Sequence, residues 1–214
     1  MESQDAAFVS VWPKQITKSF FERLTVPIID NILLGWLPYL GVKYIPLGAF
    51  SAGNGQLMMW RRDSYDKVGG HAAFKDEVLE DVRMGQAIKG KGSKVALAVG
   101  ADLISTRMYR SREDVLQGFS KNILAAHNHS RVFLMLSVFM TSLSSSFSWL
   151  LALVNPFWLI PACLSLLVRL LSCVKTRRNF WEFPLQALVF IPLFQIAARA
   201  LSSKGSYVWK ARQY

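Results

Sequence analysis

The chain has 214 residues, 52% of them hydrophobic and 18% charged, with a formal net charge of +11. A soluble domain usually carries about a quarter charged residues. Here the shortage is uneven: residues 1–131 hold 17 Lys/Arg against 13 Asp/Glu, whereas residues 132–214 hold 8 Lys/Arg and a single acid, Glu182. That excludes a lone soluble globule, a disordered chain and a secreted disulfide scaffold. Cys163 and Cys173 lie in apolar runs as small hydrophobes and build no metal framework.

Met1 to Ser10 has no basic segment leading into an apolar core, so no signal peptide is expected. Val26 to Val42 is apolar but carries Pro27, Asp30, Asn31 and Pro38, which predicts an interfacial or core helix rather than a span. Leu57–Trp60 reads as a short buried strand, closed by Arg61-Arg62-Asp63, and Gly69-Gly70 as a turn. Asp76 is the expected N-cap of a helix reaching about Lys89, with Val78, Leu79, Val82 and Ile88 at helical spacing and Gly90-Lys91-Gly92 ending it. Lys94–Val99 and Asp102–Met108 read as extended pieces, and strand, helix, strand is α/β grammar.

Three apolar runs follow. Val132–Val154 has no charge over 23 positions, enough to cross a bilayer core of about 30 Å. After Asn155-Pro156, Phe157–Val174 is interrupted by Arg169 alone. With Arg131 before them and Lys175, Arg177 and Arg178 after, the two read as a tight helical hairpin whose ends both face the cytoplasm. The third run, Pro184–Leu201, holds Gln186, Pro192, Gln195 and Arg199; it spans, lies in the interface or lies against the other helices. Arg169 and Arg199 either snorkel from a helix end or meet an anionic lipid group. Because the bases flank membrane-length runs, an anionic cytoplasmic leaflet, and not nucleic acid, is the expected partner of the excess charge.

Candidate chemistry sits in the front half. Glu77, Glu80 and Asp81 fall within five residues; Glu77 and Asp81 are four apart, which puts them on one helical face, with Glu80 on another. A carboxylate at a helix start feels the positive end of the dipole and tends to stay ionised, as a general base requires. An acidic first turn that merely stabilises its own helix gives the same pattern. The loop Gly53-Asn54-Gly55-Gln56 permits close backbone approach to a ligand or is an ordinary glycine turn, and His71 stands just after Gly69-Gly70. No Ser-His-Asp set, phosphate loop or dinucleotide fingerprint is present.

In order, Gly55-Gln56…Trp60-Arg61-Arg62-Asp63-Ser64-Tyr65, Val68-Gly69-Gly70-His71, Glu80-Asp81-Val82, Gly92, Thr106-Arg107-Met108-Tyr109-Arg110 and Gly118-Phe119-Ser120-Lys121-Asn122 resemble the later part of a family 2 glycosyltransferase domain. Over residues 20–214 the chain is most similar to membrane-bound enzymes of that family that glycosylate lipids, carotenoid glucosyltransferases among them. They share C-terminal membrane helices and an ending like Trp209-Lys210-Ala211-Arg212-Gln213-Tyr214.

The resemblance implies the C-terminal part of a GT-A α/β domain (residues 1–131, with interfacial helices), membrane helices at 132–154, 157–174 and 184–201, and a basic tail at 202–214. It implies a cell-membrane, multi-pass protein with its catalytic part cytoplasmic. The expected reaction is an inverting displacement, with a sugar nucleotide as donor and a membrane lipid or polyisoprenoid as acceptor. Asp81 takes the role of general base. Glu80, Gly53, Asn54, Gly55, Gln56 and His71 shape the substrate site, and Arg110 and Lys121 neutralise the leaving diphosphate. Related polymer synthases carry Q-x-x-R-W where this chain has Gln117-Gly118-Phe119-Ser120-Lys121, so processive synthesis is not implied. The family also expects Mg²⁺ or Mn²⁺ on an Asp-x-Asp motif, and none occurs here. The nucleotide-binding half is therefore expected from elsewhere, as a separate polypeptide or a longer gene product, and turnover by this chain alone is not. The alternative is a non-catalytic membrane subunit or remnant of such an enzyme.

Overall fold

The structure is a computed structural model that describes residues 5–32 and 39–202 and the backbone of 208–209 and 212–213. Residues 33–38 of the Val26–Val42 stretch, and most of the basic tail with its terminal motif, lie outside the described residues. In chain order the helices are α1 (Phe20–Thr25), α2 (Pro27–Asn31), α3 (Tyr39–Tyr44), α4 (Arg62–Lys67), α5 (Glu80–Gly90), α6 (Arg112–Ala126), α7 (Arg131–Ser142), α8 (Ser148–Leu151), α9 (Leu159–Lys175) and α10 (Phe190–Ser202). The chain folds as two compact units, Met1–Lys14 with Ile32–Thr106 and Gln15–Asn31 with Arg107–Tyr214.

The first unit is mixed α/β. Its three-stranded sheet has β1 (Phe8–Trp12) in the middle, antiparallel to β2 (Met58–Trp60) and parallel to β3 (Val95–Val99). Phe8 pairs with Trp60 on one side and Val95 on the other. Phe-Val-Ser-Val-Trp is buried at every position, as a central strand covered on both faces requires. Each of its large apolar side chains contributes about 1.5–3 kcal/mol by leaving water. The expected strand at 57–60 exists, but it is a sheet edge and only half-buried, so it is not the buried strand predicted. Helix α5 packs Met84 and Ile88, both fully buried, into this unit.

Helix α5 begins at Glu80 after its N-cap Leu79, three residues later than an Asp76 N-cap predicts. A 3₁₀ turn over His71–Phe74 intervenes, and the Glu77 N–H donates to the Phe74 carbonyl at 3.0 Å, which closes residues 75–77 as a turn. Glu77 therefore shares no helical face with Asp81. Its carboxylate pairs with Arg83 at 3.6 Å instead.

The second unit is helical. Ser19 and Glu22 form a reciprocal capping box at the start of α1, and Ser111 with Asp114 does the same for α6. The segments Arg131–Leu151, of 21 residues, and Pro156–Lys175, of 20, are long and apolar enough to cross a membrane. They meet at Asn155, whose side chain caps the Phe157 N–H at 3.0 Å. A π-helical turn over Leu143–Phe147 interrupts the first segment. There the Ser145 and Ser148 hydroxyls bond back to the carbonyls of Thr141 and Ser144, competing with the helix's own ladder. The third run forms two limbs, a 3₁₀ helix over Phe180–Leu188 and α10, bent 58° to each other.

Arg169 neither snorkels nor faces lipid. It is fully buried, and its Nη2 donates to the Arg23 carbonyl at 2.6 Å. Its Nη1 lies 3.4 Å from the Leu24 carbonyl and 3.4 Å from Gln186 Oε1. The guanidinium thus satisfies carbonyls at the end of α1 that no intrahelical N–H reaches. Arg199 is half-exposed and pairs with Glu113 at 2.6 Å.

Candidate functional site

The site assembles where the loop at 53–56 meets the first turn of α5. Ser10, on the central strand and fully buried, accepts the Asn54 N–H at 2.7 Å and so ties the loop to the sheet. The Asn54 side-chain carbonyl accepts the Gln56 N–H at 3.1 Å, which turns the chain locally. That turn aims the Gly55 N–H at Asp81, whose Oδ2 accepts it at 2.6 Å; Oδ1 accepts the N–H of Val82 at 2.8 Å.

Glycine at 53 is dictated by packing. A Cβ there would stand 2.2 Å from the Asp81 carbonyl oxygen, so loop backbone lies directly on helix backbone. The close approach foreseen for the glycine loop is therefore to the helix that carries Asp81. Gly55 is different: it is exposed, and a Cβ would meet Asp81 Oδ2 at an ordinary 3.4 Å.

The carboxylate of Asp81 is half-buried at the second helical position. Burial raises its pKa, and the adjacent Glu80 charge raises it further; the N–H groups of Gly55 and Val82 pull the other way without prevailing. Desolvation is the larger influence, and a raised, positioned carboxylate makes a stronger base. Glu80 is exposed beside it.

His71 has partners of its own. Tyr65 Oη lies 2.8 Å from His71 Nδ1 and also accepts the His71 N–H, at 3.0 Å. The stack continues inward through Trp60 to Phe8, with ring centroids 6.0 and then 4.3 Å apart, so His71 caps an aromatic column. Arg110 and Lys121 belong to the second unit. The Arg110 N–H donates to the Asp114 carboxylate at 3.2 Å, and neighbouring Tyr109 is buried core, packed on Phe119. Among the described residues no three His, Cys, Asp or Glu side chains converge to hold a metal ion.

The sequence reading passed over a buried ionic set in the second unit. Arg107 grips Glu22 with two bonds, at 3.1 and 2.8 Å, and holds its pKa far below the usual carboxylate range, at about 2. Arg178 lies 3.6 Å from Asp30, both side chains almost wholly buried. Asn31 donates to Gln186 at 2.9 Å. The signals were present as Ser19-x-x-Glu22 and as Asp30-Asn31 inside an apolar stretch.

The Gly55 N–H of a sheet-borne loop thus meets a half-buried aspartate in a chain with two helices long and apolar enough to cross a membrane. The family model for glycosyl transferase family 21 matches residues 45–214, and the chain belongs to that family, which is family 2-like. No curated protein and no solved structure matches the chain.

Proposed function

We propose that this glycosyltransferase transfers a sugar from a sugar nucleotide to the hydroxyl of a membrane lipid or polyisoprenoid by a single inverting displacement. The observation that carries the reading is Asp81, a half-buried carboxylate with raised pKa, oriented by the Gly55 and Val82 N–H groups. In the reaction the acceptor oxygen forms a bond to the anomeric carbon as the bond from that carbon to the diphosphate breaks. The hydroxyl proton passes to the Asp81 carboxylate and the nucleoside diphosphate leaves. The exposed Gly55 and Glu80 border the same carboxylate, and in this reading they contact the sugar.

The first unit is the later portion of a GT-A domain in this reading. The donor nucleotide and its Mg²⁺ or Mn²⁺ are bound by a separate nucleotide-binding half in this reading. The helices 131–151 and 156–175 cross the cell membrane as a hairpin, and the catalytic part is cytoplasmic.

The test uses the chain together with its nucleotide-binding half, in membranes, with a radiolabelled sugar nucleotide. Asp81→Asn keeps shape and volume but removes the proton acceptor, so transfer should fall by about 10²–10⁴-fold while donor binding persists. Glu80→Gln should cost much less. Full activity of Asp81→Asn would remove the assignment.

A further inference from the structure

The third apolar run packs in a way that fixes its path. Along α10, Val189 and Leu193 share a cluster with Leu134 and Val138 of α7, Ile196 shares one with Val115 and Phe119 of α6, and Arg199 pairs with Glu113 in the first turn of α6. The Ser120 hydroxyl also donates to the Ile196 carbonyl at 3.2 Å, and Arg112 donates to Gln195 at 3.1 Å. Helix α10 therefore climbs beside α7 and α6 against their direction, and ends among the charges that open α6. Arg112, Glu113 and Asp114 have no place in hydrocarbon.

The other limb starts at the opposite end of the hairpin but on the same side. It leaves the basic loop after Lys175, and its buried Gln186 meets Arg169, six residues before Lys175, or about 9 Å along α9. Phe190, just past the bend, packs on Phe147 of the hairpin's first segment, with ring centroids 5.4 Å apart. The outward faces of both limbs are apolar: Phe180, Trp181, Leu188, Ile191 and Phe194 are exposed, continuous in character with the exposed apolar face of the hairpin. Phe180 and Trp181 stand at the entry, with ring centroids 4.5 Å apart, where amphipathic aromatics favour the headgroup level.

We propose that residues 180–202 form a re-entrant segment that enters the membrane and returns to the side it left. Its exposed apolar face binds lipid acyl chains, and it makes no third crossing. This rests on the reading that the 131–175 hairpin crosses the membrane.

Single-cysteine variants of the full chain, with Cys163 and Cys173 replaced by serine, test it in sealed vesicles with a membrane-impermeant maleimide. Lys175→Cys, Val154→Cys and Ser202→Cys all lie at exposed positions. Positions 175 and 202 should label from one side, and 154 only from the other or after permeabilisation. If 202 labels with 154, the segment spans and the proposal is overturned. If 154 labels with 175 and 202, the hairpin itself fails to cross, which is a separate failure.

Discussion

Replacing Gly53 by alanine asks whether the loop truly rests on the helix that carries Asp81. The added methyl carbon would sit 2.2 Å from the Asp81 carbonyl oxygen and 2.5 Å from its carbonyl carbon, against an ordinary contact of 3.4–4 Å. These are backbone atoms of a helix's first turn and cannot swing aside as a side-chain end does. Loop and helix must part by at least roughly 1 Å, an overpacking cost of about 1–3 kcal/mol. Parting also strains the 2.6 Å bond from the Gly55 N–H to Asp81, a bond to a charged acceptor that contributes about 1.5–3 kcal/mol. Because strain and loss overlap, the expected sum is about 2–4 kcal/mol. At about 2–4 °C per kcal/mol for a chain of this size, the melting temperature should drop by about 4–16 °C. Tryptophan-fluorescence melting in detergent micelles measures it. Gly90→Ala is the control, since no heavy atom lies within 4 Å of its added Cβ, and it should melt at or slightly above the parent. A Gly53→Ala protein that melts within a degree of the parent would refute the close packing, and with it the account of how Asp81 is oriented.

Acid should weaken the second unit in a defined window. Glu22 has a folded pKa of about 2, below the unfolded value of about 4.3, so its stabilisation is present above pH 4.3 and is lost as pH falls toward 2. Arg107→Met should flatten that part of a stability–pH curve measured by denaturant titration, and an unchanged curve would deny Arg107 its role. The Lys89 ammonium, buried with its pKa lowered by desolvation, donates to the carbonyls of Val42 at 2.6 Å and Phe50 at 2.8 Å. Lys89→Met keeps the stem but strands those acceptors, and should cost about 1–3 kcal/mol by the same melting assay.

Periodicity made the hairpin legible, because a membrane-length apolar run has few soluble alternatives and Asn155-Pro156 marks its turn. The α/β character of the front half and the loop–aspartate pairing were also within reach. Local signals misplaced the start of α5: Asp76 is a good cap by type, but the 3₁₀ turn after Gly70 claims that segment first. Strand β1 escaped notice because a strand covered on both faces shows no alternation and looks like any apolar stretch. Arg169 was misread because its partners are main-chain carbonyls of residues 23 and 24, and carbonyls leave no trace in composition.

The docking of α1 carries a timing consequence for biogenesis. Arg169 lies 145 residues beyond the Leu24 carbonyl that it approaches, and Arg178 is separated from Gln15 by 163. At about 5–20 residues per second, the ribosome needs roughly 7–30 seconds after making α1 before its buried cation emerges. Glu22 gains Arg107 after 85 residues, partway through that interval, but Asp30 still waits for Arg178 when Arg169 has been made. Closure of the buried set around 15–31 is thus a late event that needs the chain beyond residue 169.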